Sequence, residues 1–141
     1  MIRIEHLTLG YGGRILLDGV SAAIPAGTLT ALLGRNGTGK STLLRALAGL
    51  DGRRGGRVLL DGRDLDRIAP PQLAATVAFV TTERVRIANL RCRDVVALGR
   101  APYTNWIGRM QAEDAAVVAR TLAAVGMDGY AGRTMDTMSD G

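Results

Sequence analysis

The chain opens on two segments in which apolar and polar residues roughly alternate. The apolar positions are Ile2, Ile4, Leu7 and Leu9 in the first segment and Val20, Ala22 and Ile24 in the second. Alternation with a period of two is typical of β-strands that turn one face to a core. Turn residues follow at Gly12-Gly13, Asp18-Gly19 and Pro25-Ala26-Gly27. The pattern therefore predicts an antiparallel β ribbon over residues 1–27.

Three short apolar runs predict further strands. Residues 28–33 and 77–80 are continuous runs, as expected of parallel strands that are buried on both faces. Residues 57–60 form the third run and end at Asp61-Gly62. Asp61 has two interpretations, a magnesium-binding aspartate at a strand end or the turn of a hairpin. The hairpin is favoured because Asp-Gly is a strong hairpin signal.

Helical patterns occupy the stretches between and after these runs. Residues 43–48 are good helix formers, and residues 69–75 begin with two prolines, which the first turn of a helix tolerates. Residues 94–100 also look helical. A longer amphipathic helix is predicted over residues 112–125, with Glu113 and Asp114 in its first turn. The face assigned to its core side consists of Ala115, Val118, Leu122 and Val125.

Composition narrows the class of protein. The 141 residues are 47% hydrophobic, enough for one domain with a real core. The single cysteine, Cys92, excludes an intrachain disulfide and fits a reducing compartment. The net charge is +5, but the arginines are scattered apart from a cluster at residues 84–93. We interpret them as a solvated or protein-facing surface rather than a nucleic-acid site.

The candidate chemistry lies between the first predicted core strand and the helix after it. This stretch reads Gly34-Arg35-Asn36-Gly37-Thr38-Gly39-Lys40-Ser41-Thr42, the pattern of a phosphate-binding loop. Its three glycines permit a backbone path that turns N–H groups toward an anion. The Lys40 side chain is suited to the β- and γ-phosphates, and the Ser41 hydroxyl is suited to Mg²⁺. Lys40 is also the only lysine among 18 basic residues.

Tyr11 adds a second candidate contact. It stands at the predicted tip of the ribbon, just before Gly12-Gly13. A flat aromatic ring on an exposed turn can stack on a nucleotide base. The alternative is a tyrosine that packs only on its own hairpin, and the pattern alone does not decide between them.

Taken together, the loop, Tyr11 and the terminal Ser139-Asp140-Gly141 resemble the nucleotide-binding subunit of ABC transporters. The resemblance covers residues 2–141 and implies an α/β fold, a P-loop NTPase core with a β ribbon subdomain and a helical subdomain, incomplete at the C-terminus. The expected parts are the ribbon at 1–27, the nucleotide-binding core at 28–83 and the helical subdomain at 84–141. In this family an aromatic residue at the position of Tyr11 stacks on adenine.

Other matches are shorter. Residues 95–103, which contain Gly99-Arg100-Ala101-Pro102-Tyr103, are similar to a stretch of iron-siderophore, haem and cobalamin importers. The residues Met138-Ser139-Asp140-Gly141 are similar to the family signature, in which Ser139 and Gly141 would contact ATP held by a second subunit. Asp140 departs from the glycine expected there, and a carboxylate beside a phosphate is unfavourable unless it points away.

Two further departures concern catalysis. The family usually places glutamine after the strand predicted at 77–80, where this chain has Thr82 and then Glu83. Thr82 is the candidate oxygen ligand of Mg²⁺ and Glu83 the candidate catalytic group beside Lys40. The second strand, with its magnesium aspartate and catalytic glutamate, has no match before Gly141. His6 is the only histidine and stands too early to be the histidine switch. We therefore expect a piece of a longer ATPase that leaves an apolar face uncovered and is inactive alone.

The resemblance implies an energy-coupling subunit that binds ATP and Mg²⁺, forms a homodimer through the signature motif and serves an integral membrane permease. A periplasmic binding protein would act indirectly, no nucleic acid would be bound, and the place of action would be the cytoplasmic face of the inner membrane. The alternative is a soluble ABC-type ATPase that is not coupled to transport. For the 141-residue chain itself, we expect a remnant that binds ATP at most and does not hydrolyse it.

Overall fold

The computed structural model describes residues 1–81, 89–103 and 110–138. They fall into two compact units, Met1–Phe79 and Val80–Gly141, and each unit has its own hydrophobic cluster. The strands are β1 (Ile2–Tyr11), β2 (Arg14–Ile24), β3 (Gly55–Leu60) and β4 (Arg63–Asp64), and the helices are α1 (Lys40–Leu47), α2 (Pro70–Thr76), α3 (Cys92–Leu98) and α4 (Ala112–Ala124). Within the described ranges, no helix is both long and apolar enough to cross a membrane.

The first unit is built on an antiparallel sheet in the order β2-β1-β3-β4. The long pair β1 and β2 is the predicted ribbon. Strands β3 and β4 form the predicted hairpin, with Leu60 opposite Arg63 across the Asp61-Gly62 turn. Asp61 is therefore a turn residue in this structure. Its carboxylate pairs with the amino group of Met1.

A bulge in β1 explains why its apolar positions do not alternate perfectly. Ile4 pairs with Ala22 and Leu7 with Val20, so three steps along β1 match two along β2. His6, with φ 48°, is the turning point, and its N–H donates to the Ser21 hydroxyl at 2.9 Å. The extra residue returns Leu7 to the core face. Without it, the odd spacing would place Leu7 on the opposite face from Ile4.

Burial of Leu7 gives a stability prediction. Leu7 is fully buried in the cluster that contains Ile4, Leu9 and Val58. We expect Leu7→Ala to lower the free energy of unfolding by about 2–5 kcal/mol. The substitution removes buried apolar atoms from the core and also leaves a cavity in their place. Chemical denaturation measures this change. Ile15→Ala, at a side chain that is 53% exposed, is the control, and an equal loss in both variants would contradict the assignment.

Two strand predictions were wrong for the described chain. Residues 28–33 and 77–80 form no strand. The side chain of Leu29 is wholly exposed and that of Leu33 is 87% exposed. A strand requires a hydrogen-bonded neighbour, and among the described residues the sheet pairs only β1 to β4 with one another. The expectation of uncovered apolar residues matches these exposures.

The second unit packs α3 against α4, and its buried cluster consists of Cys92, Val118 and Leu122. The predicted face of α4 was half wrong, since Ala115 and Val125 are exposed. Asp114 is buried instead, four residues before Val118. Its carboxylate accepts hydrogen bonds from the Gln111 N–H at 3.0 Å and from Arg100 Nε at 2.9 Å. An ion pair at the helix start therefore replaces part of the expected apolar stripe.

These partners predict a pH dependence. The Gln111 N–H first, and then Arg100, lower the pKa of Asp114 below its ordinary value. A depressed folded-state pKa stabilises the fold above the unfolded pKa of about 3.9, and this contribution is lost as the pH falls through the folded value. We expect Asp114→Asn to lower the thermal midpoint at pH 7, with a difference from wild type that shrinks below about pH 4.

Glu113→Gln is the matched control, because it removes the same charge from an exposed neighbour in the same helical turn. Thermal scans of both variants from neutral to acid pH separate the loss of the buried ion pair from the loss of a negative charge alone. Identical pH profiles for Asp114→Asn and Glu113→Gln would show that the buried ion pair does not contribute as argued.

Candidate phosphate-binding site

The phosphate-loop pattern folds as an irregular turn that leads directly into a helix. Residues 34–39 contain no helix or strand, and α1 begins at Lys40. Gly39 is the N-cap residue with φ 91°, a backbone conformation that a side chain would strain. The free N–H groups and positive end of α1 therefore face the loop. Residue Ala46 on the other side of α1 is fully buried and holds the helix on the core.

Lys40 is folded back over the loop. Its Nζ atom donates to the carbonyl oxygens of Gly34 at 2.8 Å and Arg35 at 2.7 Å. The Thr38 hydroxyl also donates to the Arg35 carbonyl, at 2.8 Å. Two side chains of the motif thus tie down the backbone at its start. The ammonium group is held at the loop by two carbonyl oxygens, which are neutral acceptors.

The loop is open to ligands on one side and supported on the other. Arg35, Asn36, Gly37 and Ser41 are exposed. A cavity of about 280 Å³ lies against the loop, and its lining consists of Leu17, Leu32, Leu33, Gly34, Thr38, Gly39, Lys40 and Leu43. The predicted residues 34–42 therefore form one continuous segment with an accessible surface, and anion binding there stays a prediction.

Tyr11 lies exposed at the tip of the β ribbon. It is the last residue of β1, pairs with Arg14 across the Gly12-Gly13 turn and is 83% exposed. That exposure argues against a tyrosine that packs on its own hairpin. An uncovered ring at the ribbon tip is free to take a planar ligand on its face.

The remaining predicted site residues lie outside the described ranges. These are Thr82, Glu83, Ser139 and Gly141, and their roles stay predictions. In the described residues, no three His, Cys, Asp or Glu side chains meet as a metal site. Ser41 offers a single exposed hydroxyl, which suits Mg²⁺ because that ion normally keeps water and phosphate oxygens as its other ligands.

Sequence reasoning missed the two leucines beneath the loop. A Cβ atom placed on Gly39 would lie 3.3 Å from Leu16 Cβ and 3.7 Å from Leu17 Cγ. Both leucines are half-buried in β2. The sequence carries no local signal for this contact, because β2 and the loop meet only in the folded unit.

A family model described as ABC transporter matches residues 17–141, most of the chain. The chain belongs to the ABC transporter family. This membership confirms the resemblance drawn from the phosphate loop, Tyr11 and the terminal motif. It also places the loop at 34–42 inside the matched region.

Individual ABC relatives carry several transport names. A probable siderophore transport system ATP-binding protein of Bacillus subtilis is 39% identical over 140 residues, which are 99% of this chain and 51% of the relative. The ferric enterobactin transport ATP-binding protein of Escherichia coli is 34% identical, with 99% of this chain and 52% of the relative covered. A sulfate/thiosulfate import ATP-binding protein of Mycobacterium bovis is 39% identical, with 99% and 38% covered. The chain thus spans about half the length, or less, of these curated relatives.

Solved ABC cassettes confirm the α/β fold class. The dimeric structure of a post-hydrolysis state of an ATP-binding cassette bound to ADP and Pi has a TM-score of 0.80 at 22% identity. The structural match covers 99% of the present chain and 63% of the solved cassette. At this identity the likeness concerns the fold alone.

Proposed function

We propose that the full-length protein is the ATP-binding and ATP-hydrolysing subunit of an ABC importer. The observation that supports this most is the exposed loop at 34–42, with the Lys40 ammonium held at it. Membership of the ABC transporter family supports the same proposal. The nucleotide would lie with its phosphates at the start of α1 and its base against Tyr11.

In this proposal the chain contributes binding and charge stabilisation. Lys40 exchanges its carbonyl partners for β- and γ-phosphate oxygens, and the start of α1 stabilises the same negative charge. The Ser41 hydroxyl would hold Mg²⁺, which would supply neutralisation of phosphate charge when bound. Thr82 is proposed as a further magnesium ligand and Glu83 as a catalytic group near the attacking water. Ser139 and Gly141 would cap the γ-phosphate of a second copy.

The proposed partners follow from the family. Two copies would enclose two ATP molecules, and a membrane permease would receive the resulting motion, with a periplasmic binding protein acting indirectly. The protein would lie peripherally at the cytoplasmic face of the inner membrane. The dimeric cassette with ADP and Pi supports the dimer as a family arrangement.

Iron-siderophore, haem or cobalamin is the proposed class of cargo. Two relatives named for siderophore or enterobactin transport support it, but a relative named for sulfate import has the same 39% identity as the first. The Gly99–Tyr103 stretch has a structural role as well. Arg100 pairs with Asp114 and lies 4.2 Å from the centre of the Tyr103 ring. The similarity of this stretch to iron-siderophore, haem and cobalamin importers is therefore explained in part by packing.

Uptake by a deletion strain tests the cargo and the transport role together. We expect loss of radiolabelled iron-siderophore, haem or cobalamin uptake, with sulfate uptake unchanged. Loss of sulfate uptake alone would overturn the proposed cargo. Normal uptake of all these solutes, with no membrane protein co-purifying with the full-length product, would instead favour a soluble ABC-type ATPase.

A further inference from the structure

The phosphate loop rests on two residues that are adjacent in the chain. Leu16 and Leu17 both approach the Cα of Gly39 closely enough that an added Cβ would meet each of them, at 3.3 and 3.7 Å. In a regular strand neighbouring side chains point to opposite faces. A regular β2 would therefore present only one of these leucines to the loop.

A bulge in β2 resolves this. Leu17 pairs with Leu9 and Ile15 with Gly10, so two steps along β2 match one step along β1, and Leu16 is the extra residue. Bulges redirect a side chain and often lie beside functional sites. Here the bulge turns both leucines toward Gly39, the N-cap residue of α1.

The same strand carries the ribbon tip. Arg14, the first residue of β2, pairs with Tyr11, and Leu17 follows three residues later. At about 3.3 Å per residue, this separation is roughly 10 Å. Leu17 also packs against the main core cluster, so this part of β2 is fixed at one end by the core. Only a few residues of β2 therefore separate the partner of Tyr11 from Leu16 and Leu17, the two residues that support the loop.

We propose that Leu16 and Leu17 are positioning residues that set the spacing between the Tyr11 ring and the phosphate loop. This inference rests on the proposed nucleotide-binding function. It assigns the bulge to one task, which is to let a single nucleoside triphosphate contact the ring and the loop at the same time. Two contacts held at a matched spacing reinforce each other, because the second forms without further loss of ligand freedom.

A double-mutant cycle in the full-length protein tests the proposal. Calorimetric titration with MgATP is carried out on wild type, Leu16→Ala, Tyr11→Ala and the double variant. We expect Leu16→Ala to raise the Kd about tenfold when Tyr11 is present and by less than about twofold when Tyr11 is absent. The reason is that a displaced loop loses the reinforcement from the ring, and that loss cannot occur without the ring.

The controls separate positioning from folding. Ile15→Ala alters the preceding residue of β2, which is opposite Gly10, and should change the Kd by less than about twofold. Leu16→Met conserves volume and should restore binding. Equal weakening by Leu16→Ala in both backgrounds, or no weakening with Tyr11 present, would overturn the positioning role. Failure of wild type to bind MgATP would overturn the proposed function itself, and this inference with it.

Discussion

Lys40→Ala in the full-length protein is expected to reduce ATP turnover by roughly a hundredfold or more, because one preorganised donor to the developing phosphate charge is removed. Nucleotide affinity should also fall, since charge-assisted hydrogen bonds to the phosphates are lost. In the structure this ammonium group already lies at the loop, bonded to the carbonyls of Gly34 and Arg35. Steady-state phosphate release and calorimetric titration with MgATP measure the two effects.

Two control variants give this result its meaning. Lys40→Arg keeps the charge but replaces a compact ammonium with a planar fork, so turnover should remain strongly reduced. Arg67→Ala removes one positive charge from an exposed position in the same unit and should leave turnover near wild type. Unchanged ATP binding and hydrolysis in Lys40→Ala would remove the role assigned to this lysine.

Gly56→Ala is expected to lower the free energy of unfolding by at least about 3 kcal/mol, through a backbone collision in the sheet. Gly56 has φ 75°, and an added Cβ would lie 2.3 Å from the His6 carbonyl oxygen and 2.5 Å from that of Glu5. These atoms belong to the β1 bulge, whose geometry places Leu7 in the core. The backbone cannot yield there without disturbing that bulge. Denaturant titration measures the loss.

Gly55→Ala is the matched control for Gly56→Ala. It adds the same methyl group one residue earlier in β3, where the nearest atom would be Thr8 Cβ at an ordinary 3.7 Å. We expect a change below about 1 kcal/mol. Similar losses in the two variants would show that the β1 bulge does not impose the constraint described.

Local features of this chain were readable from its sequence. The glycine-rich loop and the start of α1 are fixed by residues within one short stretch, so their pattern is sufficient. The same holds for the β ribbon, for the hairpin at Asp61-Gly62 and for the prolines at the start of α2. Each of these signals depends on near neighbours. The structure confirms the turns, strands and helix starts that they predicted, and the phosphate-binding role of the loop stays a prediction.

Features that depend on residues distant in the chain could not be predicted from the sequence. Residues 28–33 have the composition of a buried strand, but strand formation depends on a neighbour that the described chain does not pair with them. The inner face of α4 includes Asp114 because its carboxylate accepts hydrogen bonds from the Gln111 N–H and from Arg100, which lies 14 residues earlier. The contact of Leu16 with Gly39 arises from a bulge, and a period-two pattern gives no indication of a bulge at that position.

The hydrogen bonds of Lys40 have a practical consequence for detecting occupancy. It carries the only primary amine among the side chains of these 141 residues, so stable amide formation by an amine-selective acylating reagent is limited to Lys40 and an unblocked N-terminus. Phosphate oxygens bound to Nζ would shield that amine from the reagent. The rate of labelling, read by mass spectrometry of the peptide that contains residue 40, would then serve as a built-in reporter of loop occupancy that needs no engineered probe.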